Sequence, residues 1–247
     1  MDSAIITGRN SVIEALKAGR SVTRIYITAG KDSQPLLRIR SMAREKGVPV
    51  EPVSADVMRR HARGTHHQDV VAFAAAVAFA DLDEVLSEVQ AKGDVPFLIL
   101  LDGIEDVHNL GAVIRTAECA GAHAVLVPKR RSAPVNETVG KTSAGAVEYM
   151  PVVRIGNTAG FLKKLKKQGF WVIGADMDGE TDYFHSSLTG PLVLVIGSEG
   201  KGISRLVREH CDRLVRIPMF GRVNSLNASV AAALLLYEAV RQRREQA

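Results

Sequence analysis

The chain has 247 residues, 46% hydrophobic and 24% charged, which suits one large or two small globular domains. No apolar run reaches the ~20 residues that span a bilayer. The longest are "VVAFAAAVAFA" (70–80) and "ASVAAALLLYEAV" (228–240), and "MDSAIITGRN" lacks the basic and apolar regions of a signal peptide. The net charge is +5 and unevenly placed: residues 1–80 carry 12 Lys/Arg against 7 Asp/Glu, while 81–247 carry 20 of each. That imbalance fits a polyanion-holding module beside a neutral one, or a basic surface with no partner.

In chain order, "NSVIEALKAG" (10–19) reads as a helix ending at Gly19, and "TRIYIT" (23–28) as a strand. A helix at 34–47 carries Pro35 in its first turn; a short strand at 48–53, a helix at 54–62 begun by Ser54, and a buried strand at 70–79 follow. Residues 1–79 thus form a small α/β domain. The acidic, amphipathic stretch 80–94 reads as a linker containing a short helix. Across 95–247 six nearly continuous apolar runs read as strands buried on both faces: 97–102, 124–128, 151–155, 170–176, 192–197 and 213–218. Helices are expected at 109–121, 136–146, 157–168, 203–211 and 225–243. The expected fold is α/β, with a six-stranded, mostly parallel sheet covered on both faces. The last helix is so apolar that either its own core or a second subunit must cover it, and the latter implies a homodimer.

Cys119 and Cys211 make no disulfide framework, and no Cys or His pair has zinc spacing. A reduced, cytoplasmic setting without metal is the simplest expectation. "GSEGKGIS" (197–204) superficially resembles a phosphate-binding P-loop, but counting from Gly197 the second Gly falls at Gly202 and Ile203 stands where that motif needs its Lys. "LDGIED" offers a single Gly, so no dinucleotide-binding fingerprint follows the first strand of the second domain, which disfavours a nucleotide-dependent oxidoreductase.

Three segments at strand carboxyl ends, where α/β sheets place their ligands, are unusual. They are "HNLGAVIRTAECAG" (108–121), "IGSEGKGIS" (196–204) and "IPMFGRVNSLNASVA" (217–231). Together they bring Asn109, Arg115, Glu199, Ser225 and Asn227. Each has two readings. Asn109, Ser225 and Asn227 serve a polar pocket or cap helices. Glu199 pairs with an Arg or sits at a helix start favoured by the dipole. Gly197, Gly200 and Gly202 admit a ligand or only shape a turn. Lys129, Arg130 and Arg131 contact phosphates or are surface charge.

These segments, in this order, resemble the three motifs of the SpoU (TrmH-like) RNA 2′-O-ribose methyltransferases of the SPOUT superfamily. The likeness is carried by "DGIEDVHNLGAVIRTAECAGAHAVLVPK", "LVIGSEGKGISRLVREHCDRLVRIPM" and "SLNASVAAALLLYEAVRQR", and covers essentially all of 94–247. "ITGRNSVIEAL" and "HHQDVVAF" resemble the ribosomal-protein-like (L30e-type) substrate-binding domain that accompanies several members. The arrangement is most similar to the branch that methylates a guanosine in 23S ribosomal RNA.

The resemblance implies a SPOUT domain with a deep trefoil knot, S-adenosylmethionine as cofactor, and a homodimer built through the knot region. It implies cofactor contacts, mainly by backbone, around Gly174, Ala175, Ile196, Gly197, Gly200, Ile217, Met219 and Leu226. It implies catalytic work for Arg115, Asn109, Glu199, Ser225 and Asn227. An Arg is almost always protonated, so Arg115 is expected to orient the ribose 2′-oxygen and stabilise its charge. RNA contacts are expected at Arg9, His67, Lys129, Arg130 and Arg131. Arg38, Arg40, Arg44, Arg59, Arg60 and Arg63 are further basic residues of the first domain, of which a subset can face one RNA. The rivals are ribose methylation of transfer RNA and a non-catalytic RNA-binding assembly protein on the same fold.

Overall fold

In a computed structural model, residues 3–62 and 66–246 are described; Arg63 lies outside them. The chain divides into two compact units. The first runs to Ala78 and also takes up Pro134–Tyr149; the second comprises Phe79–Ala133 and Met150 onwards.

The first unit is a four-stranded sheet, order β1-β4-β2-β3, built from β1 (Ser3–Thr7), β2 (Val22–Thr28), β3 (Val50–Val53) and β4 (Val70–Ala75). β1 and β2 both run antiparallel to β4, and β3 runs parallel to β2. Helices α1 (Arg9–Lys17) and α2 (Gln34–Glu45) cover one face, where Val12, Leu16, Leu36 and Ile39 bury against Ile25, Ile27, Val70 and Ala72. Helix α3 (Ala55–Ala62) packs on the other through Met58 and Ala62, against Tyr26 and Val71. β1 escaped the sequence reading because three apolar residues in a row carry no decisive periodicity; pairing with β4, Ile5 opposite Phe73, makes it a strand. β4 stops at Ala75 rather than 79, where its partner β1 runs out at Ser3.

Pro134–Tyr149 was expected inside the second domain. Its helix α6 (Glu137–Thr142) is shorter than the predicted 136–146 and is followed by a left-handed Gly145. The segment is tied to α1 and the turn after it. Arg20 and Glu148 form a nearly buried ion pair at 2.5 Å, the Ser11 hydroxyl donates to the Gly140 carbonyl, and Tyr149 donates to the Glu14 carboxylate.

The second unit begins with α4 (Leu82–Lys92). The predicted linker is therefore a helix of this unit: Leu82 and Val89 are buried, and Leu82 joins the core. Its sheet has the order β7-β6-β5-β10-β8-β11-β9, and every pairing is parallel. The strands are β5 (Phe97–Asp102), β6 (Ala124–Pro128), β7 (Val152–Ile155), β8 (Trp171–Ala175), β9 (Thr181–Asp182), β10 (Leu192–Gly197) and β11 (Arg213–Arg216). The sheet has seven strands, not the expected six: β9 is two polar residues long, too short for any pattern, and is held by pairing with β11.

Leu98, Leu100, Val172, Val193 and Val195 face one side, against Leu162 and Leu165 of α7 (Thr158–Lys167), Val207 of α8 (Arg205–Arg208), and α4. The alternate residues point to the other side, where α5 (Val107–Cys119) packs against α9 (Ala228–Gln246). α8 is one turn, against the predicted 203–211. α9 buries Ala228, Ala232, Leu235, Leu236 and Ala239 in its own chain, whereas Val230, Leu234 and Tyr237 remain exposed.

Candidate active site

Strand register assembles the site. β5 and β10 are neighbours, with Asp102 opposite Gly197, so the loops that follow leave the sheet side by side. The chain proceeds from β5 outward to β6 but returns to β8 on the far side of β10. A crevice at the carboxyl ends of strands where their order reverses is the usual ligand site of an open parallel sheet.

After β5, Asp106 caps α5 by accepting from the His108 N–H at 2.8 Å. Asn109 is thus inside the first turn, not the cap, and is buried. After β10, the glycine-rich turn closes on itself, Ser198 and Gly202 exchanging backbone hydrogen bonds of 3.1 and 2.8 Å. Gly197 permits this: a Cβ there would lie 2.1 Å from the Gly202 carbonyl carbon. Gly200 and Gly202 have φ of 79° and 63° with open space around them, so there the turn itself requires glycine. Asp102 pins the end of the loop by accepting from the Ser204 N–H at 2.7 Å.

The three segments then converge. Asn109 Nδ2 donates to Glu199 Oε1 at 3.2 Å; Asn227 Nδ2 donates to Asn109 Oδ1 at 2.8 Å and also to Glu199 Oε1. Glu199 Oε1 accepts from the Ala228 N–H at 3.2 Å, and Asn227 Oδ1 accepts from the Ser229 N–H and hydroxyl. The helix-end readings of Glu199 and Asn227 are realised, at the first turn of a 19-residue helix, while Glu199 pairs with Asn109 and Asn227 and, among the described residues, with no Arg. A carboxylate at a helix N-terminus is favoured by the exposed N–H groups and the dipole. Ser229 was legible only as a polar exception in "ASVAAALLLYEAV", and Asp102 only as the polar end of "FLILLD".

Arg115 is exposed and makes no hydrogen bond or ion pair among the described residues. It follows Asn109 by six residues, which at ~100° per residue places the two about 120° apart around α5. The two side chains therefore leave α5 in different directions, and among the described residues no hydrogen bond joins Arg115 to the Asn109 cluster. Ser225 is exposed and likewise unbonded.

Of the expected cofactor contacts, Gly174 and Ala175 lie within β8, not in a turn; the turn follows at Asp176–Gly179. Gly174 serves packing, since a Cβ would meet Ile203, Cys211 and Leu214 at 2.8–3.0 Å. Cys211 is half-buried, and burial pushes its thiol up to about 12, so it is no nucleophile near neutral pH. Ile196 is buried in β10, Ile217 and Leu226 are half-buried, and Met219 is exposed. The carboxyl ends of β10, β8 and β11 lie side by side, so the backbone after residues 197, 175 and 216 shares one edge.

The expected RNA contacts differ from one another. Arg9 donates from Nε to the Gln68 carbonyl at 2.9 Å and pairs with Asp69 at 3.2 Å. It thereby latches a turn in which Gln68 and Asp69 both have positive φ. His67 Nδ1 accepts from the Asp69 N–H at 3.0 Å, and burial holds its pKa below the usual histidine value. Lys129, Arg130 and Arg131 are exposed at the carboxyl end of β6, Arg131 with φ 56°.

A parallel α/β sheet with a polar cluster at its strand-order reversal, in a chain that also holds a small mixed-sheet unit, is the architecture of a two-unit α/β protein with a ligand edge. The chain belongs to the SpoU rRNA Methylase family, whose pattern matches residues 96–237, and is an RNA methyltransferase of that class. Residues 5–80 match the RNA 2′-O ribose methyltransferase substrate-binding domain. A Bacillus subtilis (strain 168) protein named for the TrmH family of tRNA/rRNA methyltransferases is 42% identical over 96% of this chain and 95% of its own. Among solved structures, the SpoU methyltransferase AviRb from Streptomyces viridochromogenes, in complex with the cofactor AdoMet, is similar at a TM-score of 0.82. The identity is 28%, over 98% of this chain and 91% of that one. The Aquifex aeolicus TrmH/SpoU tRNA modifying enzyme is similar over 67% of this chain and 85% of its own, at TM-score 0.56 and 27% identity.

Proposed function

We propose that this protein transfers a methyl group from S-adenosylmethionine to a ribose 2′-hydroxyl of a guanosine in 23S ribosomal RNA. The Asn109–Glu199–Asn227 cluster carries the reading, because it places three motif residues of the family in mutual hydrogen bonds at the sheet's ligand edge. The choice of ribosomal RNA is supported by coverage: likeness to a solved rRNA methyltransferase from Sinorhizobium meliloti extends over 97% of the chain, whereas that to the tRNA modifying enzyme extends over 67%.

The edge formed by the loops after residues 197, 175 and 216 fits the cofactor. Gly200 and Gly202, with open space where a side chain would stand, leave the backbone of the first of these loops uncovered. Bound there, S-adenosylmethionine supplies an electrophilic methyl on a sulfonium, a leaving group that needs no metal. The chain's own residues must orient the ribose and stabilise charge on a weakly acidic hydroxyl. Asn109, fixed by Glu199 and Asn227, orients the sugar, and Ser225 adds a hydroxyl from the adjoining loop. Arg115 stabilises the developing oxyanion as a permanent cation, and the proton leaves to a phosphate or water.

Because Arg115 and the cluster diverge around α5, Arg115 of one protomer acts on the cluster of the other in a homodimer. The uncovered stripe of Val230, Leu234 and Tyr237, on the helix that packs beside α5, supports that assembly. Lys129, Arg130 and Arg131 contact phosphates. Among the described residues no helix is long and apolar enough to cross a membrane, and both cysteines are free, which agrees with a cytoplasmic setting. The test is transfer of labelled methyl from S-adenosylmethionine to unmodified large-subunit RNA, with transfer RNA as the competing substrate and mapping of the modified nucleotide. Incorporation into transfer RNA alone refutes the ribosomal assignment.

A further inference from the structure

The opposite edge of the second unit's sheet carries a cavity that the methyl-transfer site does not use. It has a volume of about 300 Å³ and is lined by Trp171, Ile173, the loop of residues 187–192, and Arg213. Trp171, Leu192 and Arg213 are the first residues of β8, β10 and β11. The strands whose carboxyl ends hold the proposed cofactor edge therefore present this cavity at their amino ends. Six residues of β10, at ~3.3 Å each, separate the two by roughly 20 Å.

Its walls are built, not incidental. Trp171 is 52% exposed, an unusual placement for the chain's single tryptophan. The Arg213 guanidinium stands over its ring, 5.8 Å from the centroid, and has no carboxylate partner among the described residues. The facing loop is riveted by the last turns of α9. Gln242 accepts from the Leu188 N–H at 2.8 Å and donates to the Ser186 carbonyl at 2.9 Å. Arg243 donates to the carbonyls of Gly190, Leu188, Val95 and Pro96. Ser187 and Thr189 bring hydroxyls to the same wall.

We propose that this cavity binds a nucleotide, and that the nucleotide is an unpaired residue of the RNA substrate lying about 20 Å from the reacting ribose. An exposed indole offers a stacking face for any base, a favourable contact that tolerates any sequence. The unpaired Arg213 cation supplies charge for the adjoining phosphate, or a second plane for the base. Ser187, Thr189 and the fixed loop backbone can hydrogen-bond a base edge. The volume lies at the lower end of the ~300–1,000 Å³ typical of small-molecule sites, as suits one base rather than a large cofactor. The proposal rests on the reading that the chain acts on RNA. It makes the second unit a reader of single-stranded substrate in its own right, alongside the basic first unit.

With one tryptophan in the chain, intrinsic fluorescence reports this cavity directly. Titration of the full-length protein, without cofactor, uses a single-stranded oligoribonucleotide in one arm and guanosine monophosphate in the other. Quenching that saturates in the oligonucleotide arm, and whose Kd rises at least fivefold in Arg213→Ala, supports the cavity and assigns the ligand to an RNA strand. Equal Kd in the two arms keeps the cavity but overturns the RNA assignment in favour of a free nucleotide. A parallel assay follows methyl transfer to large-subunit RNA: Trp171→Ala is expected to raise the KM for RNA several-fold more than it lowers kcat, with Trp171→Phe restoring most of the difference. Fluorescence unaffected by RNA that is nevertheless methylated overturns the cavity and leaves the proposed function standing. No methylation of any RNA, with quenching intact, strikes the proposed function instead.

Discussion

Arg9 and Arg115 both sit on helices and both came forward from the sequence, yet the structure gives them opposite fates. Arg9 is fully engaged: Gln68 and Asp69 take up its guanidinium, and the result is a strained turn held in place. Arg115 makes no hydrogen bond or ion pair among the described residues. The same contrast separates Arg20, nearly buried against Glu148, from Lys129, Arg130 and Arg131, which stand in solvent. A cation that the fold has consumed stabilises the fold; one left without a partner is available to substrate. Charge counted along a sequence does not distinguish the two.

The comparison breaks most directly at Arg115. Arg115→Ala is expected to lower kcat by about 10²–10³-fold, the cost of removing one stabiliser of a developing oxyanion. Calorimetric S-adenosylmethionine binding and the melting temperature should be unchanged. Near-normal turnover would remove the catalytic role. Next in size is Glu148→Ala, which leaves Arg20 buried without its partner; such losses cost about 3–5 kcal/mol. A denaturant titration should register this in the first unit.

Arg9→Ala should cost less, about 1–3 kcal/mol for hydrogen bonds from a charged group. If it instead leaves stability intact and weakens RNA binding, Arg9 belongs with Arg115 and the contrast fails. The smallest expected effect is a pH dependence. Hydrogen bonds from Arg241, opposed by partial burial, hold the Glu238 carboxyl below its ordinary value. The folded form then binds fewer protons than the unfolded one. Its contribution is present above the unfolded carboxylate value of ~4.3 and is lost as pH falls through the lowered folded one. Thermal melts from pH 6 to 3 on the wild type and Glu238→Gln should converge at the acid end.

Much of the second unit was legible because a strand buried on both faces writes itself as an unbroken apolar run. All six expected strands are present, β5, β6 and β10 with their predicted ends. β1 and β9 were not legible, since a strand that short exists only through its neighbour. The site was legible as residues but not as contacts. Asn109, Glu199 and Asn227 were named from their segments, while Ser229 and Asp102 acquire their parts only from the convergence.

By itself the sequence determined the alternation of elements, the three polar segments at strand ends and the family likeness, because these rest on local periodicity and residue identity. Only the tertiary structure decided which segments meet. Register brought Gly197 beside Asp102, and the first unit took up residues 134–149. Those outcomes depend on hydrogen bonds between residues distant in the chain, and no local pattern encodes such partners.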